Sequence, residues 1–212
     1  MTTLQTVALI GATGKAGKYI LQQLLTSGYA VKALIRQPEL FTFSHPLLQI
    51  LPGDVKDAGT VDLLISDCSA VISTLGQKPG EPPVSVLAAG HIISAMNNNG
   101  VNRYLFLSGL NLDVPGDQKS DANQAKSAWM KQNYPEAVAD KQAAYSLLAK
   151  SNIDYTMIRL PLIEQTDERR TLVVDLHDCP GDVISTADLA EFIVKHIDDE
   201  QYVRQALFVA SL

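Results

Sequence analysis

The chain has 212 residues and a mass of 23.0 kDa, and its 17 Lys+Arg against 23 Asp+Glu leave a net charge of −6 at pH 7. With 46% hydrophobic and 19% charged residues it has the balance of a globular protein rather than a disordered one, and a domain of this size buries roughly 70% of its unfolded surface without metal or disulfide staples. The acidic total excludes the broadly basic surface that a nucleic-acid binder needs, although a local basic pocket stays compatible with it.

Met1–Thr6 lacks the basic n-region and cleavage site of a secretory leader, and Val7–Ile10 is only four residues of apolar chain before Gly11. No run approaches the roughly 18 apolar residues of a membrane span. From there, short apolar runs alternate with helical patterns. Val7–Ile10 reads as a strand, followed by glycine-rich punctuation. A helix then carries Ile20, Leu21, Leu24 and Leu25 and closes at Gly28. Ala30–Ile35 and Leu47–Leu51 read as the second and third strands, with Val61–Ile65 as a short helix between the third and a fourth, Ala70–Leu75. Val84–Met96 reads as a helix, Arg103–Leu107 as a fifth strand, Ala137–Lys150 as a helix and Tyr155–Leu160 as a sixth strand. Between them, Asn111–Pro135 is polar and irregular, with Ser120–Lys131 as a candidate helix; Trp129 and Met130 are expected to shape a binding site there. The tail reads strand, helix, strand over Leu172–Val174, Ser185–Ile197 and Ala206–Val209, with Ser185 and Asp188 spaced as a capping box. Near-continuous apolar strands in strand–helix alternation predict one α/β domain over 1–212, a doubly wound parallel sheet with helices on both faces.

Cys68 and Cys179 stand 111 positions apart with no metal-type spacing. Two thiols in a reducing compartment are the better reading and a single disulfide is the other; a cytoplasmic location is expected. His45, His91, His177 and His196 are too scattered for a metal site or a catalytic triad.

Gly11, Ala12, Thr13, Gly14, Lys15, Ala16 and Gly17 fall between the first strand and the first helix, the context that gives a glycine motif meaning. Gly11 permits the turn, Gly14 lets a pyrophosphate approach the backbone, and Gly17 lets the helix pack closely, with free helical N–H groups facing the anion. The bland reading is a ligand-free turn, which three glycines at this spacing disfavour. At the end of the second strand, where an acid selects for a ribose hydroxyl and an arginine for a 2′-phosphate, stands Arg36, with Lys15 nearby. NADP(H) is the expected cofactor, against a solvated surface arginine. Asp54 and Val55 are expected beside adenine, and Thr74, Leu75 and Gly76 along the cofactor across the switch from Gly11. Ser108, after the fifth strand, is expected near the nicotinamide, although a serine there is also an ordinary turn residue.

Gly11–Gly17, Arg36, Gly53-Asp54-Val55, Leu107-Ser108-Gly109, Asp154–Arg159 and Val183–Ala190 occur in the order of the atypical short-chain dehydrogenase/reductases. The chain resembles in particular the NmrA-like NAD(P)-binding proteins of the biliverdin reductase B/flavin reductase type, over essentially its whole length. The resemblance implies a Rossmann fold, and Lys141 matches the family's lysine, expected with Ser108 at the catalytic end. Lys141, Ala144, Tyr145 and Leu148 share one helix face, so Lys141 is otherwise a snorkelling lysine at the stripe's edge. The departure is at the family's tyrosine, where this chain has Ala137. None of Tyr19, Tyr29, Tyr104, Tyr134, Tyr145, Tyr155 and Tyr202 has a lysine four residues later, and Tyr134 is a weak substitute acid. Alcohol oxidation is therefore disfavoured, and hydride transfer to a small planar acceptor, flavin- or quinone-like, is expected, because solvent can protonate that product. The other reading is an NADP(H)-binding redox sensor that acts on a protein partner without turnover. A sugar-nucleotide epimerase fits less well.

Overall fold

The computed structural model describes residues 4–77 and 80–212, so the leader reading at Met1–Thr3 lies outside the described residues. The first strand, β1 (Thr6–Ile10), leads through the glycine loop into α1 (Gly17–Thr26) and β2 (Ala30–Ile35). A 3-10 turn over Pro38–Leu40 precedes β3 (Leu48–Pro52), α2 (Ala58–Ile65), β4 (Ala70–Ser73) and α3 (Ser85–Asn99). Then come β5 (Arg103–Gly109), α4 (Asp121–Asn133), α5 (Pro135–Lys150) and β6 (Asp154–Leu160). Three short strands, β7 (Leu162–Glu164), β8 (Leu172–Asp175) and β9 (Val183–Ser185), precede α6 (Thr186–Lys195) and β10 (Gln205–Ser211).

The sheet runs β3-β2-β1-β4-β5-β6-β10-β9-β7, with β8 pairing β10. From β3 to β10 every neighbouring pair is parallel, and β8 and β9 run antiparallel to β10. The order reverses between β1 and β4, the switch point where a doubly wound sheet opens a crevice at its carboxyl edge. Strand alternation explains the continuous apolar runs. Val7 and Leu9 face a core with Ile20 and Leu24 of α1 and Leu189 and Ile193 of α6. Ala8 and Ile10 face the opposite core with Leu64 of α2, Ile92 of α3 and Leu148 of α5.

Several boundaries move for local reasons. Helix α2 begins at Ala58 rather than Val61, because the Asp57 carboxylate accepts the Thr60 N–H at 2.7 Å and caps the helix earlier. Helix α3 runs on to Asn99, where Gly100 turns left-handed at φ +67°. Strand β4 stops at Ser73, two residues short of the expected Leu75: the Thr74 N–H makes the last bond across to the Ile10 carbonyl, and its hydroxyl turns to the glycine loop. Strand β5 runs two residues further, so Ser108 lies within it, in register with Arg159. The short β7 and β9 carry no periodicity of their own and exist because they pair with each other.

The Ser185–Asp188 cap closes through a third residue. Ser185 Oγ accepts the Ala187 N–H, while the Ser185 N–H donates to Ser211 Oγ, which in turn donates to Asp188 Oδ2 at 2.7 Å. The hydroxyl from β10 relays the bond that a direct box makes. Cys68 and Cys179 are both buried free thiols, so the disulfide alternative does not hold.

Candidate active site

The glycine loop is held by contacts that only glycine permits. Gly11 sits at φ +89°, and a Cβ there would lie 2.5 Å from Thr74 Oγ1, whose hydroxyl donates to the Gly11 carbonyl at 3.0 Å. A Cβ on Gly17 would lie 2.0 Å from the same carbonyl, so the first turn of α1 packs backbone to backbone on the loop. Helix α1 has no side-chain cap and no acidic residue in its first turn. The Lys18 and Tyr19 N–H groups bond back to the Gly14 and Ala16 carbonyls at 3.3 and 3.1 Å, and the partial positive charge of this uncapped helix start favours an anion in front of it.

This loop forms one end of a cleft of about 700 Å³ at the carboxyl edge of the sheet. That volume lies within the range of cofactor sites. Of the residues expected at the cofactor, Gly11, Thr13, Gly14, Lys15, Ala16, Arg36, Asp54, Val55, Thr74, Leu75 and Gly76 line it. Ala12 and Gly17 do not: Ala12 is fully buried in the core beneath the loop, and Gly17 is consumed by the contact with Gly11. Asp54 Oδ1 accepts the Lys56 N–H at 3.0 Å, which closes its own turn. A Cβ on Gly76 would meet nothing within 4 Å, so no protein contact requires glycine there. Arg36 Nη1 donates to Glu81 Oε2 at 3.0 Å, joining the end of β2 to the segment before α3. Leu40, Phe41, Lys56, Glu81, Val84 and Ile163 also line the cleft, and the sequence reading missed them as site residues. Leu40 and Phe41 carried a signal, being apolar side chains in the polar stretch that follows β2.

Beyond the shared walls Leu75 and Leu107, a pocket of about 40 Å³ holds Ser108 and Lys141 together with Ser73, Ser85 and Tyr104. Ser108 comes from β5 and Lys141 from the inward stripe of α5, where Ala144 and Leu148 are buried. Burial lowers the Lys141 pKa, opposed in part by the adjacent Asp140 carboxylate. Asp140 itself accepts the Ser85 and Val86 N–H groups at 2.6 and 3.2 Å. One turn of α5 thus caps α3 and places the lysine in the pocket. Tyr104 is buried, hydrogen-bonded to Ser73, and its pKa is raised by desolvation. It is the tyrosine that reaches this pocket, and the search for a lysine four residues on could not find it. Tyr134 lies outside: it is 50% exposed and packs edge-on against Trp129, which is 55% exposed. Neither lines the cleft or the pocket. The expected contribution of Trp129 and Met130 to the site therefore fails, because α4 docks through polar groups. Asn123 Nδ2 donates to Asp178 Oδ1 and to the Cys179 carbonyl, while Trp129 points outward.

The segment between β5 and α4 is held by a buried cation. Arg159, with no exposed surface, donates from Nη1 to both Asp117 oxygens at 2.7 Å and from Nη2 to the Ala206 carbonyl at 2.8 Å. Its guanidinium lies 3.6 Å from the centre of the Phe208 ring. From that segment, the Asp113 N–H donates to Gln142 Oε1, and Gln142 Nε2 donates to the Asp113 carbonyl. The clamp therefore ties β6 to α5 one residue from Lys141. Among the described residues no group of His, Cys, Asp and Glu is arranged to hold a metal ion, and no helix is long and apolar enough to cross a membrane.

Residues 11–200 match the family described as NAD(P)H-binding, and the chain belongs to that family. Among its curated relatives is the chloroplastic protein At2g34460 of Arabidopsis thaliana, 26% identical and aligned over 94% of this chain and 72% of that protein. Another is phenylcoumaran benzylic ether reductase 1 of the same plant, 26% identical over 99% of this chain and 70% of that protein. Among solved structures, a short-chain dehydrogenase/reductase from Veillonella parvula in complex with NADP superposes with a TM-score of 0.82 at 18% identity, over 98% of this chain and 94% of that one. At that identity the likeness speaks for the fold.

Proposed function

We propose that this member of the NAD(P)H-binding family is an NADPH-dependent reductase of a small planar acceptor, flavin- or quinone-like. The observation that carries the reading is the continuity of the site. A cleft of about 700 Å³ lined by the glycine loop and Arg36 shares the walls Leu75 and Leu107 with the adjoining pocket that holds Ser108 and Lys141. The residues present fit a dinucleotide. Gly14, Lys15 and the N-terminal turn of α1 would hold the pyrophosphate, and Arg36 would face the 2′-phosphate. Asp54 and Val55 would flank adenine, with Thr74, Leu75 and Gly76 along the middle. Ala12 and Gly17 would support the loop from beneath.

Bound NADPH supplies the hydride. Ser108 and Lys141 would orient the nicotinamide end and the acceptor, and positioning is the chief demand on a site whose acceptor takes its proton from solvent. Ala137 offers no acid at the place where the related dehydrogenases are expected to carry a tyrosine, in keeping with such an acceptor. A relative named as a benzylic ether reductase supports reduction of a small aromatic compound. The two buried free thiols favour a reducing compartment such as the cytoplasm.

The same missing acid favours the second reading, an NADP(H)-binding redox sensor with a protein partner. Following NADPH oxidation with FMN, riboflavin and simple quinones separates the two. Turnover that falls on the order of 10-fold or more in Ser108→Ala is the expected result. Tight NADPH binding without turnover of any acceptor supports the sensor instead. Turnover unaffected by Ser108→Ala removes Ser108 from the site and leaves the reductase standing.

A further inference from the structure

The adenosine end of the cleft carries both signs of charge. Lys15, Arg36 and Lys56 line it with Asp54 and Glu81. Asp54 has a local task in its own turn. Glu81 instead reaches across the cleft from the segment before α3 and accepts from Arg36 Nη1 at 3.0 Å. The two side chains remain 41% and 44% exposed, so the bridge contributes little to stability and can be exchanged for another anion at small cost. A guanidinium offers phosphate a two-bond edge, and Glu81 occupies one end of it.

We infer that Glu81 sets the choice between the two nicotinamide cofactors, by competing with the NADPH 2′-phosphate for Arg36 while offering the 2′-hydroxyl of NADH a carboxylate acceptor. The inference rests on the proposed dinucleotide reading of the cleft. Arg36 alone makes a site for a phosphate, whereas an acid beside the ribose is the group that accepts from a 2′-hydroxyl. The pair places both chemistries at one ribose position, so Glu81 narrows the preference for NADPH that Arg36 creates. A phosphate displaces the carboxylate or binds beside it and meets a like charge. With nearly two charges on the phosphate, about 5 Å separation and physiological screening, the carboxylate weakens phosphate binding by about 4- to 10-fold. The NADH complex carries no such penalty.

The test compares wild type with Glu81→Gln and Glu81→Lys, titrating NADPH and NADH by fluorescence and the fragments 2′,5′-ADP and 5′-AMP by calorimetry. Circular dichroism confirms that these half-exposed substitutions keep the fold. Glu81→Gln is expected to tighten NADPH and 2′,5′-ADP by about 4- to 10-fold at physiological salt, with no gain for NADH or 5′-AMP. Glu81→Lys extends the gain, and 0.5 M salt abolishes most of it. Wild type that binds NADPH with Glu81→Gln indistinguishable from it overturns the inference alone, as does equal tightening of both cofactors. Wild type that binds neither cofactor overturns the dinucleotide reading and the inference with it.

Discussion

Replacing Gly17 by alanine tests whether the close contact beneath the glycine loop serves both fold and ligand. The added Cβ would stand 2.0 Å from the Gly11 carbonyl oxygen, 2.8 Å from its carbon and 3.0 Å from the Ala12 Cα. All three are backbone atoms, so no side chain can swing aside, and reaching an ordinary contact of about 3.4 Å requires α1 and the loop to part by about 1.4 Å. Overpacking of this kind costs on the order of 1–3 kcal/mol, and a rigid backbone on both sides places the substitution at the upper end. The same displacement lengthens the hydrogen bonds that the loop is proposed to give a pyrophosphate. Losing one or two bonds to a charged group, at about 1.5–3 kcal/mol each, weakens NADPH by at least 10-fold. Gly14→Ala is the counterpart. Its Cβ would meet only the Gly11 carbonyl oxygen at 3.2 Å, so the fold should lose less than about 1 kcal/mol while the pyrophosphate approach is blocked. Gly76→Ala, with nothing within 4 Å, controls for the general effect of a methyl group on stability. Urea denaturation reports the stability and NADPH fluorescence the binding. Gly17→Ala within 0.5 kcal/mol of wild type would refute the packing argument. Unaltered NADPH affinity in both loop variants would remove the loop from the cofactor site.

Two further outcomes follow from buried charge. Arg159→Met takes both short bonds from the Asp117 carboxylate and leaves it only Lys119, 3.6 Å away, which should cost about 3 kcal/mol and lower Tm by roughly 6–12 °C; a shift below 3 °C in a thermal scan contradicts the role given to the clamp. Lys141→Met removes a cation whose pKa burial lowers in the folded state. Protons therefore bind the unfolded chain preferentially between the depressed pKa and the ordinary value near 10.4, so this lysine weakens the fold most at low and neutral pH and ceases to do so as pH rises through that interval. The methionine variant should be more stable than wild type at pH 7, with the gain fading toward pH 10, while its turnover falls about 10- to 100-fold. A variant equally destabilised at all pH values would mean that the lysine is not desolvated.

Much of the framework was legible in the residues because it is encoded locally. Val7–Ile10 and Ala30–Ile35 are apolar at every or nearly every position, since both of their faces are covered, and periodicity reports that directly. Gly11, Gly14 and Gly17 could be read in place because a strand precedes them and a helix follows. Ser108 and Lys141 were legible as separate positions, and no spacing brings them together. Their meeting in one pocket depends on α5 lying against α3, with Asp140 capping that helix. Tyr104 was illegible for the same reason, because its sequence neighbours say nothing of Lys141. Trp129 drew attention as a rare aromatic beside the expected acceptor site, yet polar anchoring at Asn123 turns it to the surface.

The residues by themselves determined a parallel α/β sheet and a dinucleotide-type loop at its switch point, and the family resemblance added an alanine, Ala137, where a tyrosine is expected. Only the tertiary structure decided which charges meet. Arg36 finds Glu81 from 45 positions away and Arg159 finds Asp117 from 42, because packing rather than propensity sets such distances. The few cations of an acidic chain are therefore distributed in a way that composition could not show. Arg159 is spent on structure inside the protein, while Arg36 stands at the cleft with an acid of the chain's own already in its grasp.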